Sequence, residues 1–284
     1  MSSAADTAHR TDAAPAVALG EARPQLYAAA ILLLLLNAAA AKAIQAIAEH
    51  GPLAALADGL GHSWAFWVAA FAAVRLALLE PAARVRPRDL WICGAGALAA
   101  LAPVSQLAGL ACSALAAAIL FDRSQGPRMR AAAWVLAAIS VQLVWSRLVM
   151  LFFVQPIAAA DAHMLSWIIQ RPVTGNLVAF AQDHHRLSIW AGCTSVQNAS
   201  TALMLYVAVV RSFRPQPRRS ELYALAGVFI SVVAINLVRL SLMAQTIEMY
   251  HLVHGDLGQG VVNAVITLTG LAWAAASVRH EILD

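Results

Sequence analysis

A chain of 284 residues that is 61% apolar and only 12% charged carries about half the charged fraction of a soluble domain, which excludes an ordinary water-soluble fold. Mean hydropathy is +0.70, and the apolar residues gather into long runs that a soluble core does not need. The net charge of +4 would elsewhere suggest nucleic acid, but here the basic residues sit between the apolar runs and report topology, so no nucleic-acid partner is expected.

Residues 1–24 read as a polar, Ala-rich cytoplasmic lead. A secretory signal peptide would put its apolar region nearer the start, so the first apolar run is expected to stay as an uncleaved span. Residues 25–284 then form a single transmembrane domain. Crossing a bilayer takes about 20 apolar residues in a helix. The candidate spans are 25–47, 62–79, 90–102, 104–121, 131–154, 193–210, 222–243 and 258–278. The run 90–121 is too long for one span and is broken at Pro103, which predicts a short helical hairpin; a re-entrant arrangement is the alternative.

The basic residues set an orientation. Arg10 and Arg23 precede the first span, and Arg84, Arg86 and Arg88 follow the second. Arg123, Arg128 and Arg130 follow the fourth, Arg211, Arg214, Arg218 and Arg219 the sixth, and Arg279 the eighth. The alternate connections hold almost none. The expected fold class is therefore all-α: a polytopic integral membrane helical bundle of about eight transmembrane helices, N-in and C-in, in the inner (plasma) membrane. The one long outer connection, 155–192, holds an amphipathic piece at 163–170, then Pro172 and the polar run Gln182-Asp183-His184-His185-Arg186. It is expected to roof a site on the non-cytoplasmic side.

Charged residues inside spans are costly and invite a functional reading. Lys42 and Arg75 read as snorkelling or paired chains. Arg147, in the outer part of span five, reads equally as a structural ion pair or a site wall. Arg239 falls about 6 Å below the outer end of span seven, with Asn236 on the same helical face. Glu248, His251, His254 and Asp256 follow in a short outer loop. Cys193 opens span six on that same side, followed by Gln197 and Thr201 at helical spacing. Cys93 and Cys112 lie among Ala, Gly and Leu as small core residues. The three cysteines form neither a disulfide framework nor a zinc spacing, and no metal or other cofactor is expected.

One Cys, one Arg and one His at a common depth can carry thiol acyl transfer. A thiolate attacks a peptide carbonyl, the Arg stabilises the oxyanion, and the His protonates the leaving amine.

The motifs Gly192-Cys193-Thr194-Ser195, Asn236-Leu237-Val238-Arg239 and His254-Gly255-Asp256-Leu257-Gly258 resemble, in order, spacing and predicted sidedness, those of the exosortase/archaeosortase family of membrane transpeptidase-like enzymes. The match runs from Trp190 to the C-terminus. It implies Cys193 as nucleophile, Arg239 as oxyanion or thiolate partner and His254 as acid/base, with Asn236, Gln197, His251 and Arg147 in support. The implied partners are secreted proteins with a C-terminal hydrophobic tail, membrane lipid, and a polysaccharide or lipid acceptor. The family's common form after the Cys is Ser-Gly-x-Arg-Ser, where this chain has Thr194-Ser195-Val196-Gln197-Asn198, a departure that puts the sorting signal or the activity in question.

Three other readings compete. A transporter or channel would use Arg239 and Arg147 to bind an anion. A metalloprotease would use His251 and His254 with Glu248 and Asp256, although no HExxH is present. A scaffold of an envelope-assembly complex would need no site at all.

Overall fold

The computed structural model describes residues 22–102, 104–182 and 185–283. Residues 1–21 of the expected polar lead, Arg10 among them, the break at Pro103, and Asp183 and His184 of the polar run lie outside the described residues, while Arg23 and Pro24 of that lead open the first helix.

The described chain is mostly helical. α1 (Arg23–His50) starts on a proline in its first turn, where the missing N–H costs nothing, and ends at Gly51 with φ +78°. A short α2 (Pro52–Ala57) follows. α3 (Trp64–Leu78) is capped by the Ser63 hydroxyl, which accepts from the Phe66 N–H. The run that was too long for one span divides into α4 (Pro87–Leu101) and α5 (Ser105–Phe121), the predicted hairpin. After α6 (Pro127–Ser140), a π-helical segment at Val141–Trp145 leads into α7 (Ser146–Ile169). α8 (Ser195–Phe213), α9 (Ser220–Met243), the short α10 (Ile247–His254) and α11 (Asp256–Leu283) complete the chain.

Among the described residues, four helical stretches are long and apolar enough to cross a membrane: Arg23–His50, Pro127–Ile169, Ser220–Met243 and Asp256–Glu281. Trp64–Leu78 and Ser105–Phe121 are apolar but shorter. α8 has 19 residues, but Gln197, Asn198, Ser200 and Thr201 make its first turns polar.

α1 packs against α3, α4 and α5, and α6 packs against α3 and α5. Together they enclose an Ala-rich core around Tyr27, Phe66, Ile119 and Leu136. α8 joins the two halves, with α3 and α6 on one side and α9 and α11 on the other. The frequent alanines let these helices approach closely, as small residues do where lipid leaves no hydrophobic gain from association.

One region departs from expectation. Span five was to end at 154 and give way to a loop, yet the helix runs on through 155–169. Its 43 residues would measure about 65 Å, twice a bilayer core. Pro156 does not break it. The ring costs one hydrogen bond and bends the helix at Phe153, whose φ of −122° and ψ of 17° are not helical, and the helix then resumes.

The rest of the outer segment forms a small antiparallel sheet that was not expected: β1 (Val173–Thr174), β2 (Leu177–Ala179) and β3 (Arg186–Ser188). A two-residue turn at Gly175-Asn176 joins β1 to β2, with Gly175 at φ +60°. The Ala181 and Gln182 N–H groups donate to the carbonyls of Ala244 and Gln245, binding this segment to the end of α9.

Candidate active site

Cys193 closes a single 3₁₀ turn (Ala191–Cys193), and Thr194 is the N-cap of α8. Its residue is 7% exposed. The first N–H groups of a helix need outside partners when the cap side chain supplies none, as at Thr194. Here α7 supplies one such acceptor, and α9 holds the turn by a donor. The Ser195 N–H donates to Asp161 Oδ2 at 3.3 Å, and Asn236 Nδ2 donates to the Cys193 carbonyl at 2.9 Å and to Ser195 Oγ at 3.2 Å. Asn236 is fully buried. The turn bearing the thiol is thus clamped from two helices.

Arg239 lies one turn beyond Asn236 on α9. It is only 6% exposed, yet its Nε has no hydrogen-bond partner, and no ion pair reaches the guanidinium among the described residues. It forms part of the wall of an apolar cleft of about 490 Å³ between α9 and α10–α11, lined by Ile235, Val238, Leu242, Leu257, Val261 and Val265 among others. Arg239 is the cleft's one charged wall residue among the described residues.

His254 is the last residue of α10. Its ring stacks on Tyr250, with centroids 5.1 Å apart and planes 13° off parallel, and its Nδ1 is buried without a partner. α11 begins two residues later, pressed tightly against α10. A Cβ at Gly258 would stand 2.4 Å from the Val253 carbonyl oxygen and 2.5 Å from that of Leu252. Only glycine fits here without a shift of the α10 backbone. His251 is exposed, at the edge of the same tyrosine ring.

The three elements meet in one apolar cluster. Cys193 shares it with Leu240 and Met243 of α9 and with Val253 of α10, the immediate neighbours of Arg239 and His254 among them. Val178, Phe180, Leu187 and Ile189 of the sheet segment pack into the same cluster, as do Ala158, Ala162 and Leu165 of α7. Among the described residues, no hydrogen bond links Cys193, Arg239 and His254 directly.

Two supporting residues lie elsewhere. Gln197 points outward from α8, with its carbonyl accepting from Ser200 and Thr201. Arg147 is exposed on α7 and lines a separate small pocket with Lys42 and His62. Cys93 and Cys112 are buried in the core of the other half.

Asp161 is not singled out by the sequence, and Ser195 enters there only as part of the Cys193 motif. The available signal was a lone acid within the apolar stretch 158–165, which is 4% exposed and caps α8 from a neighbouring helix. A motif search along one strand of sequence has no access to such a cross-helix cap.

No family model matches this chain, and no curated protein or solved structure proves similar to it. The chemistry must be read from the residues. A thiol at a clamped turn, a buried guanidinium without a counter-ion in the wall of an apolar cleft, and an imidazole with a free buried nitrogen are residue types that acyl transfer can use.

Proposed function

We propose that this chain is a membrane-embedded, exosortase-like thiol peptidase or transpeptidase. It cuts the C-terminal hydrophobic sorting tail from secreted proteins at the non-cytoplasmic face of the inner (plasma) membrane. The bundle crosses the membrane eight times, through α1, α3, α4, α5, α6–α7, α8, α9 and α11, with both termini inside. α3, α4 and α5 are short for a full crossing and would do so by local thinning and tight packing.

The observation that carries the reading is the buried Arg239 guanidinium without a counter-ion, beside the clamped Cys193 turn. A buried charge with no partner is expensive, and a site that must stabilise a transient oxyanion is one place where that cost is recovered. The apolar cleft would take the upper part of a substrate helix, placing the peptide that precedes it near the thiol. The β1–β3 sheet would roof the site.

In the proposed cycle, His254 takes the Cys193 proton and the thiolate adds to the scissile carbonyl carbon. The carbonyl electron pair moves to oxygen, where Arg239 holds it. As the C–N bond breaks, the imidazolium gives its proton to the leaving amine, and a thioester remains on Cys193. Water, or a hydroxyl or amine of a polysaccharide or lipid acceptor, then adds to the thioester and gives its proton to His254. The thiolate leaves and is reprotonated.

The test is co-expression with a secreted protein carrying a hydrophobic tail and basic end, followed by size and mass. Tail removal is expected with the wild-type chain and not with Cys193→Ser. Removal that persists in Cys193→Ser at equal protein level would refute the mechanism.

A further inference from the structure

Apart from the cleft beside Arg239, α1, the α2–α3 connection, α5 and α7 enclose a polar pocket lined by Lys42, His62, Ser105, Gln106 and Arg147. Its position is set by close backbone packing. Gly61, at φ +71°, lets the α2–α3 connection lie against α1, where a Cβ would stand 3.0 Å from the Lys42 carbonyl oxygen. His62 follows, its ring stacked on Phe66 at 4.6 Å and only 7% exposed.

Every charged group that lines this pocket is a cation. Neither Lys42 nor Arg147 forms an ion pair among the described residues. The nearest acid along α1, Glu49, accepts from Gln45 and lies beside His50. His62 Nε2 is buried with no hydrogen-bond partner. The N-terminus of α5 opens on the same space, and its first N–H groups are not capped by a side chain. A helix N-terminus and converging cations both favour an anion.

We infer that this pocket binds one phosphate-type anionic group, held by Lys42, Arg147, His62 and the first turn of α5. Its volume, about 30 Å³, has room for roughly two waters, so the group seats its oxygens inside and keeps its remaining substituent outside. Lys42 and Arg147 are exposed at the rim, so the phosphate can come from an anionic lipid headgroup or from a free phosphate. The inference is independent of the Cys193 chemistry.

Purified protein in a maltoside detergent serves for the test. Native mass spectrometry reads retention of phosphatidylglycerol against phosphatidylcholine, and titration calorimetry reads inorganic phosphate. Preferential phosphatidylglycerol retention assigns the site to a headgroup; phosphate binding without lipid preference assigns it to a free anion. In either case the Lys42→Gln/Arg147→Gln double variant is expected to bind at least tenfold more weakly. Lys42→Arg/Arg147→Lys, which keeps both charges, is expected to retain binding and so reports on folding. Arg239→Ala is expected to bind as wild type. Binding of neither probe, or a double variant that binds as well as wild type, overturns the site.

Discussion

Arg23, in the first turn of α1, and Arg239, near the end of α9, bury their side chains to nearly the same degree, 4% and 6% exposed. Their surroundings are opposite. Arg23 Nε lies 2.8 Å from Asp89 Oδ2, and its Nη2 lies 2.9 Å from Asp122 Oδ2 and 3.2 Å from Ser124 Oγ. The Tyr27 hydroxyl donates to the same Asp89 at 2.8 Å. This network ties α1 to the start of α4 and the end of α5. The Nε of each makes no well-aligned hydrogen bond, but Arg239 has no carboxylate beside it among the described residues and an apolar cleft in front of it. A buried guanidinium that serves the fold is saturated by acids from its own chain, whereas an unsaturated one is kept for something that arrives. The first kind should register in stability and the second in activity, which gives a direct way to break the comparison.

The largest effect is expected from Arg23→Ala. It leaves Asp89 and Asp122 buried without their cation, a loss of about 3–5 kcal/mol for a pair broken on one side. Thermal unfolding of the purified chain should fall sharply, with tail cleavage lost in proportion to the folded fraction. An unfolding temperature close to wild type would mean that the network adds little.

Arg239→Ala is expected to do the reverse. Removing an unpaired buried charge should leave unfolding temperature unchanged or raise it, while tail cleavage falls by about 10² to 10³, the usual cost of one oxyanion donor. Arg239→Lys should recover part of the rate, because the charge returns without the planar fork. If Arg239→Ala lowers stability as much as Arg23→Ala, the two arginines are alike and the distinction fails.

The two regions also differ in how far the sequence disclosed them. Arg23 could be seen only as one of the basic residues marking a cytoplasmic side; its partners lie 66 and 99 residues away, and nothing local announces them. Cys193, Arg239 and His254 could be singled out because each breaks an apolar run or stands at its end, and they do come from elements that share one cluster. The helical runs were legible for the same reason, that apolar stretches of this length have few alternatives. Gln197 was chosen by spacing from Cys193, but helical spacing sets only an angle, and on α8 that angle faces outward. Arg147 was placed by depth alone, and depth does not say which side of the bundle a residue occupies. The helix through Pro156 and the β1–β3 sheet were not legible, because both depend on packing against the end of α9.

A smaller effect, confined to the site, is expected from Gly258→Ala. The added Cβ must move α11 or the last turn of α10, since the atoms it meets are backbone. Displacing His254 by roughly 1 Å can cost up to about 10² in rate. Selective labelling of Cys193 by a thiol probe should persist, because the Cys193 turn is held by Asn236 and Asp161 and not by α11. Loss of labelling together with activity would place the damage in the Cys193 turn and count against a role for His254.

The smallest effect concerns Asp122, in the loop after α5. Burial alone would raise its carboxyl, but the Ser124 N–H at 2.9 Å, the Ser124 hydroxyl at 2.8 Å and the nearby Arg23 hold it below the ordinary carboxylate value. A depressed folded-state value means that the unfolded chain binds the proton first. The stabilisation is therefore fully present above about pH 4, the ordinary range of an unfolded Asp, and is lost as pH falls through the lower folded value. The difference in unfolding temperature between wild type and Asp122→Asn should be constant from neutral pH down to about pH 5, then shrink in stronger acid. A difference that shrinks between pH 7 and 5 would show that Asp122 titrates high. Arg23 would then be no better neutralised than Arg239, and the contrast between the two guanidinium sites would lose its physical basis.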